Sequence, residues 1–349
     1  MTGAVLVARQ DHCGDVLLAG PAVRSVAASG RPVHMLCGPR GRPAADMLPG
    51  VTSVIEQRVP WIERDPMPVR QREAATLVRK VRELGVSHAA VLVSSHQSPL
   101  PLALLLRWAG VTRIAAISHD HAGSLLDVRV PGDPEVHEVR RGLLVTEALG
   151  FPSVIDDRLA VDLGDGRPDD DGRTLIPPTE SFVVVHPGAS AVARTLAPAQ
   201  WRDVVGRVAA TARRVIVTGS QEEMGLTAFV SGKDPRVSDL GGRLTLRQLG
   251  SVLARAETVV TGNTGPMHLA AAVGTPVVAA FPPTVPVGRW RPWRVPHVIL
   301  GDQTVPCAGC RSRTCPLQDQ VCVSSIDGEA VVRALDELAS LDDIVGSAP

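Results

Sequence analysis

The segment Val259-Val-Thr-Gly-Asn-Thr-Gly-Pro-Met-His-Leu-Ala-Ala-Ala-Val-Gly-Thr-Pro-Val-Val-Ala-Ala-Phe-Pro-Pro-Thr284 constrains this chain more than any other. It reads as a buried strand (Thr258 to Thr261), a tight turn with Gly262 and Gly265, a helix (Pro266 to Val273) and a second buried strand (Pro276 to Phe281). Pro266 suits a first helical turn, where its missing N–H costs nothing. Gly274 suits the residue just past a helix, where positive φ is needed. A short loop opening a helix offers backbone N–H groups and the positive end of the helix dipole, so it favours anions such as phosphate. Thr264 adds a hydroxyl, and His268 lies one turn further on. Strand–turn–helix–strand units are common in α/β proteins and most bind nothing, so geometry alone leaves the phosphate role and a purely structural role both open.

The rest of the chain repeats this alternation. Strands are expected at Ala4–Ala8, Pro32–Cys37, Val51–Glu56, His88–Ser94 and Arg113–Ser118, with helices at Val16–Ser29, Pro68–Leu84, Leu100–Ala109 and Pro134–Leu149. The strands are short and apolar almost throughout, as expected when both sheet faces are covered. Alternation of this kind implies a parallel sheet with right-handed crossovers. From Asp156 to Glu180 the composition turns polar and ends in Pro177-Pro178, which reads as a linker at 166–180. A second series follows: Phe182–Val185, Ala199–Ala212, Arg214–Thr218, Glu222–Val230, Leu246–Ala254, the segment above, Val298–Leu300 and a last helix over Ile326 to Leu341. The expectation is an α/β protein of two Rossmann-like domains with parallel sheets facing across a cleft. Residues 1–165 form the first and 181–349 the second, and the last helix is a candidate to pack back on the first.

Composition excludes some classes. At 349 residues the chain has room for about two domains. Formal net charge is +0, so no overall basic excess draws in nucleic acid. The opening residues carry no basic-then-apolar leader pattern, and no apolar run reaches membrane-span length. The expectation is a soluble cytoplasmic protein, with room for peripheral contact at the inner face of the membrane through Arg-rich surface.

Three further segments carry chemistry. Asp11-His-Cys-Gly-Asp-Val-Leu-Leu-Ala-Gly-Pro-Ala-Val-Arg24 lies at the carboxyl end of the first strand, the edge where ligands of open α/β sheets gather. Gly14 permits a tight turn. Asp15 stands where an N-cap would be, and a cap is worth about 1 kcal/mol. A carboxylate has two oxygens, so capping and proton abstraction are compatible; His12 is the alternative base. In His186-Pro-Gly-Ala-Ser-Ala-Val-Ala-Arg-Thr-Leu-Ala-Pro-Ala-Gln-Trp201, Gly188, Ala189 and Ser190 make a small-residue loop and Arg194 supplies a cation, which by itself is equally a solvated surface group. In Val217-Thr-Gly-Ser-Gln-Glu-Glu223, Glu223 is either a diol-binding carboxylate or a first-turn residue favoured by the helix dipole.

Taken together these segments resemble glycosyltransferase family 9, the ADP-heptose:lipopolysaccharide heptosyltransferase family. The family pattern Asp-Thr-Gly-x-x-His-Leu-Ala-Ala-Ala-x-Gly-x-Pro, then a strand and Pro-Thr, is matched at Thr264, Gly265, His268, Leu269, Ala270, Ala271, Ala272, Gly274, Pro276, Pro283 and Thr284. The family's Asp is Asn263 here, which removes a negative charge beside the donor. Asp15, Pro21 and Arg24 match its N-terminal motif, and His186 to Ser190 its His-Pro-Gly-Ala-Ser. The resemblance implies GT-B architecture and an inverting glycosyltransferase. It makes Asp15 the general base, with Gly14, His12, Gly188 and Ala189 as secondary substrate-binding residues. It puts Ser190, Arg194, Asn263, Thr264, Gly265 and His268 on the phosphates and sugar, Glu223 on the ribose and Leu244 at the base. The donor it implies first is ADP-heptose, and the acceptor a hydroxyl of a cell-envelope glycan or a natural product. No cofactor is expected, and transfer is expected to be metal-independent. A sugar-nucleotide epimerase, a non-catalytic sugar-nucleotide-binding protein and a Cys-cluster redox or metalloprotein are the rival readings.

Two features stay open. Cys307, Cys310, Cys315 and Cys322 lie within sixteen residues and suit structural zinc, an iron–sulfur cluster, free thiols or a disulfide. Arg289, Trp290, Arg291, Trp293 and Arg294 suit stacking on a sugar, phosphate binding or closure of a domain seam.

Overall fold

The computed structural model describes residues 3–63, 66–164, 181–317 and 319–346. The expected linker at 166–180 lies outside the described residues. The chain divides into two compact units, Met1–Asp162 and Leu163–Pro349.

The N-terminal unit alternates strand and helix. In chain order it contains β1 (Ala4–Arg9), α1 (Cys13–Leu18), α2 (Gly20–Ala27), β2 (Val33–Cys37), α3 (Arg42–Ala45), β3 (Ser53–Glu56) and α4 (Gln71–Glu83). It continues through β4 (Val86–Leu92), α5 (Leu100–Trp108), β5 (Arg113–Ile117), β6 (Val128–Val130) and α6 (Glu138–Ala148). All its strand pairs are parallel, in the order β3-β2-β1-β4-β5-β6. The central strand β1 is buried along its whole length, as a strand covered on both faces must be. Leu6, Leu36, Leu77, Leu102, Leu106 and Ile114 fill the core beneath α4 and α5.

The single helix expected over Val16–Ser29 is two. Pro21 stands in the first turn of α2 and has no N–H to give to Leu17, so the ladder breaks at Ala19–Gly20. The rod also starts earlier, at Cys13, with His12 as its N-cap. Asp15 is therefore the third residue of α1 and not its cap. Arg24, matched by the motif, donates to the carbonyls of Asp156 and Arg158 and ties down the segment that leaves this unit.

The C-terminal unit repeats the plan. It contains β7 (Phe182–His186), α7 (Pro198–Ala210), β8 (Arg214–Val217), α8 (Met224–Ser231), β9 (Val237–Asp239) and α9 (Leu246–Leu253). There follow β10 (Thr258–Gly262), α10 (Gly265–Ala272), β11 (Val277–Ala280), α11 (Val287–Trp290), β12 (His297–Leu300) and α12 (Gly328–Gly346). Its parallel sheet runs β12-β11-β10-β7-β8-β9. Counted from its own first strand, this is the order of the first sheet. Trp201 on α7 is fully buried with Val183, Val204, Val208 and Val260, and Ala334, Leu335 and Leu338 of α12 join the same core. The last helix thus packs on α7, β11 and β12 of its own unit. Gly274 follows α10 with φ +83°, the left-handed turn expected of it. Among the described residues no helix is long and apolar enough to cross a membrane.

Candidate active site

In a doubly wound sheet, ligands bind outside the carboxyl ends of the strands where the strand order reverses. That point falls between β1 and β4 in the first unit and between β7 and β10 in the second. The residues singled out from sequence lie at these two edges.

At the first edge the last residue of β1 is a charged one. Arg9 is buried, and its guanidinium meets three carboxylates. Nη2 donates to Asp15 Oδ1 at 2.7 Å and to Ser94 Oγ at 2.9 Å, and Nη1 donates to Glu138 Oε2 at 3.0 Å. Nε lies 2.9 Å from Asp11 Oδ2. Burial alone would lower the Arg9 pKa, but the fields of Asp11, Asp15 and Glu138 outweigh it and raise it, so Arg9 is charged. Asp11 is pushed up by burial against the opposing pull of Arg9. Asp15 is the most accessible of the three carboxylates: its side chain is 17% exposed, against 8% for Asp11 and 2% for Glu138. Its second oxygen accepts the His12 N–H at 3.3 Å, and with Arg9, Glu138 and Arg141 it lines a hollow walled by Leu92, Ile117 and Val145. The His12 ring turns to Arg40, with Nε2 3.0 Å from Nη1. Gly14 is buried at the start of α1.

At the second edge four glycines let loops approach one another. Gly188, Gly219, Gly241 and Gly262 follow or end β7, β8, β9 and β10, and a Cβ at each would fall within 2.6 Å of a neighbouring atom. The Glu223 carboxylate lies against Gly188 and accepts the Ser220 N–H at 2.8 Å. His186 Nε2 is 3.9 Å from that carboxylate, and its Nδ1 is 3.0 Å from Thr218 Oγ1. Burial lowers the His186 pKa to about 4 despite the opposing field of Glu223, so the ring is neutral near pH 7. Thr261 Oγ1 donates to the His186 carbonyl at 3.1 Å and lies 3.3 Å from Thr264 Oγ1, which joins β7 to the start of α10.

The loop after β7 is pinned from inside and outside. Trp201 Nε1 donates to Thr195 Oγ1 at 2.8 Å, and that hydroxyl donates to the Pro187 carbonyl at 2.8 Å. The Asn263 N–H donates to the Arg194 carbonyl at 3.2 Å, bringing Arg194 beside the Asn263-Thr264-Gly265 turn. Ser190 is exposed, Ala189 and Arg194 are partly buried and Asn263 is buried. His268 is also buried, inside α10, with its ring centroid 6.5 Å from that of Trp290. Arg289, itself buried, stacks 6.0 Å from the Trp290 centroid, whereas Arg294 stacks on Trp293. Leu244, partly buried, lies in the loop between β9 and α9.

The four-cysteine segment clasps this loop. The Arg313 carbonyl accepts the Ala193 N–H at 2.8 Å, Arg313 Nη2 donates to the Ser190 carbonyl, and Gln320 Nε2 donates to the carbonyls of Ala193 and Thr195, each at 3.2 Å. Gly309 and Arg311 donate backbone N–H groups to Pro283 and Thr284. Cys307, Cys310, Cys315 and Cys322 are free thiols, and no His/Cys/Asp/Glu group among the described residues is disposed to hold a metal ion. Burial raises the Cys322 pKa, and the other three thiols raise it further.

Sequence reasoning missed Arg9, Asp11, Glu138 and Arg141 at the first edge, and Thr218, Arg313 and Gln320 at the second. One signal was available: Arg9 is a charge at the end of an otherwise apolar strand, at the edge where ligands gather.

Two doubly wound halves of identical strand order, each a six-stranded parallel sheet, define the GT-B class of α/β proteins. The fold matches E. coli ADP-heptose lipopolysaccharide heptosyltransferase II with a TM-score of 0.75 at 18% identity, over 97% of this chain and 99% of that one. E. coli heptosyltransferase WaaC with ADP-2-deoxy-2-fluoro heptose gives 0.69 at 17% identity over 96% and 99%. The chain belongs to glycosyltransferase family 9 (heptosyltransferase), whose family model matches residues 81–320. In sequence it is 26% identical to lipopolysaccharide heptosyltransferase 3 of Escherichia coli over 166 residues, 46% of this chain. The match spans about half of that relative, 47% of its length.

Proposed function

We propose that this protein is an inverting glycosyltransferase that moves a sugar from a nucleoside-diphosphate donor, ADP-heptose first, to an acceptor hydroxyl of a cell-envelope glycan or a natural product. Family membership supports the reaction class, and the ADP-sugar in the similarly folded WaaC structure supports the donor class. The observation that carries the reading is Asp15, a carboxylate at the switch point of the first sheet, held by Arg9 at 2.7 Å and still reachable.

Asp15 takes the proton of the acceptor hydroxyl as its oxygen attacks the anomeric carbon. The bond from that carbon to the diphosphate breaks, and the diphosphate leaves with its electron pair. Arg194 and the amino end of α10 receive the growing charge, assisted by Ser190, Thr264, Gly265 and His268. Asn263 lies in the same turn and borders the sugar. Glu223 accepts from the ribose hydroxyls, and Leu244 borders the base. The cation work falls to protein groups, so transfer persists in EDTA. The acceptor side carries His12, Gly14 and Asp15, and the protein works in the cytoplasm, at the membrane face when its acceptor is a lipid-linked glycan.

The test is Asp15→Ala. It should cut kcat by about 10²–10⁴, the range for loss of a general base, and leave donor binding near wild type. Near-normal turnover would reduce Asp15 to a structural residue of α1. Donor binding with no transfer to any acceptor would instead indicate a non-catalytic sugar-nucleotide-binding protein.

A further inference from the structure

Arg9 connects four parts of the N-terminal unit. From the end of β1 its guanidinium reaches Asp11 in the following loop, Asp15 in α1, Ser94 after β4 and Glu138 in α6. Glu138 is shared, because its Oε1 lies 3.2 Å from Arg141 Nε. Arg141 in turn donates to the Asp133 carbonyl at 3.0 Å. All of these charged side chains except Asp15 are less than 9% exposed. A carboxylate oxygen that accepts one hydrogen bond keeps a lone pair for another. Asp15 is therefore fixed at two points, Oδ1 by Arg9 and Oδ2 by the His12 N–H.

We propose that Arg9 and Glu138 are positioning residues for Asp15: Glu138 seats the guanidinium, and the guanidinium fixes the direction in which the Asp15 carboxylate faces an acceptor hydroxyl. The proposal rests on Asp15 being the base. Lysine cannot replace arginine here, because a single ammonium cannot bridge carboxylates that the planar fork spans. Within the N-terminal unit the charged and titratable groups facing Asp15 include Arg9 and Asp11 from β1 and its loop, His12 and Cys13 from the start of α1, and Glu138 and Arg141 from α6.

The two substitutions move Asp15 in opposite directions. Arg9→Lys loosens the cationic hold, so the acid limb of the kcat–pH profile moves to higher pH, by about one unit. Glu138→Gln removes a negative charge, so the limb moves to lower pH. Each should lower kcat about 10- to 100-fold through lost alignment and leave donor Kd unchanged. A merely structural role would lower the folded fraction and leave the limb where it is. The decisive experiment is ¹³C NMR titration of the Asp15 carboxyl in aspartate-labelled wild type, Arg9→Lys and Glu138→Gln. It reads the hold on Asp15 without turnover, so it stands even if Asp15→Ala proves active and the base assignment fails. Opposite displacements of the Asp15 titration are expected. The same midpoint in all three proteins, or displacement in one direction for both variants, overturns the proposal; should Arg9→Lys not fold, the absence of a downward shift in Glu138→Gln does so alone.

Discussion

The Glu223 carboxylate occupies the space a side chain at Gly188 would need: a Cβ there would fall 2.1 Å from Glu223 Oε1. Only glycine leaves the Glu223 carboxylate its seat against the loop after β7, so the two residues form one element of the proposed donor site. Gly188→Ala should push the carboxylate off its seat and weaken nucleotide-sugar binding about 10- to 100-fold, the worth of a hydrogen bond to a charged group. Calorimetric titration of the variant measures this, and unchanged affinity would detach Glu223 from the donor.

Gly262 makes a similar demand on the backbone. A Cβ there would stand 2.6 Å from the Arg194 carbonyl, which cannot swing aside as a side chain can. Gly262→Ala should destabilise the protein by about 1–3 kcal/mol, the usual cost of overpacking. It should also loosen the bond from the Asn263 N–H to that carbonyl. Urea denaturation reads the first effect and donor affinity the second.

His186 gives the protein a pH-dependent stability with a fixed sign. Its native pKa is about 4, below the ordinary 6.5, because burial disfavours the charged ring. The unfolded chain takes up this proton first, so the contribution is whole above pH 6.5 and is lost as pH falls towards 4. The loss amounts to about 3 kcal/mol at most. Denaturation of wild type and His186→Asn at pH 7.5 and pH 4.5 should show the wild type losing more, and equal losses would contradict the assignment.

The clasp between the four-cysteine segment and the Ser190–Thr195 loop predicts a remote effect on binding. Gln320 donates to the carbonyls of Ala193 and Thr195. Gln320→Ala should lower donor affinity about 3- to 10-fold, at about 0.5–1.5 kcal/mol for a lost hydrogen bond, although the side chain belongs to no proposed donor contact. An affinity equal to wild type would show that the loop holds its shape without the clasp.

Much of this molecule was legible in its sequence because strands covered on both faces announce themselves as apolar runs. Ala4–Ala8 and Phe182–Val185 were recognisable on that ground, and Gly274 could be assigned its left-handed turn from its place after α10. The three-residue edge strands Val128–Val130 and Val237–Asp239 are too short to show a period. The break between α1 and α2 was written in Gly20-Pro21 but masked by the apolar residues on either side. Asp15 could be placed at the sheet edge, whereas its partners could not: Glu138 is 129 residues from Arg9 in sequence, and only the fold brings two such charges together. The relation of Gly188 to Glu223 was hidden for the same reason, since a close approach between loops leaves no local pattern.

The central claim is that the C-terminal unit grips a nucleoside-diphosphate sugar at the turn before Met267. Isothermal titration of the purified protein with ADP-heptose, with ADP as competitor and Thr264→Val and Arg194→Ala as controls, tests it most directly. Saturable one-site binding that ADP displaces and both substitutions weaken is the predicted result. Failure of ADP-heptose and of every other nucleotide sugar tried to bind, or binding indifferent to Thr264 and Arg194, would contradict it.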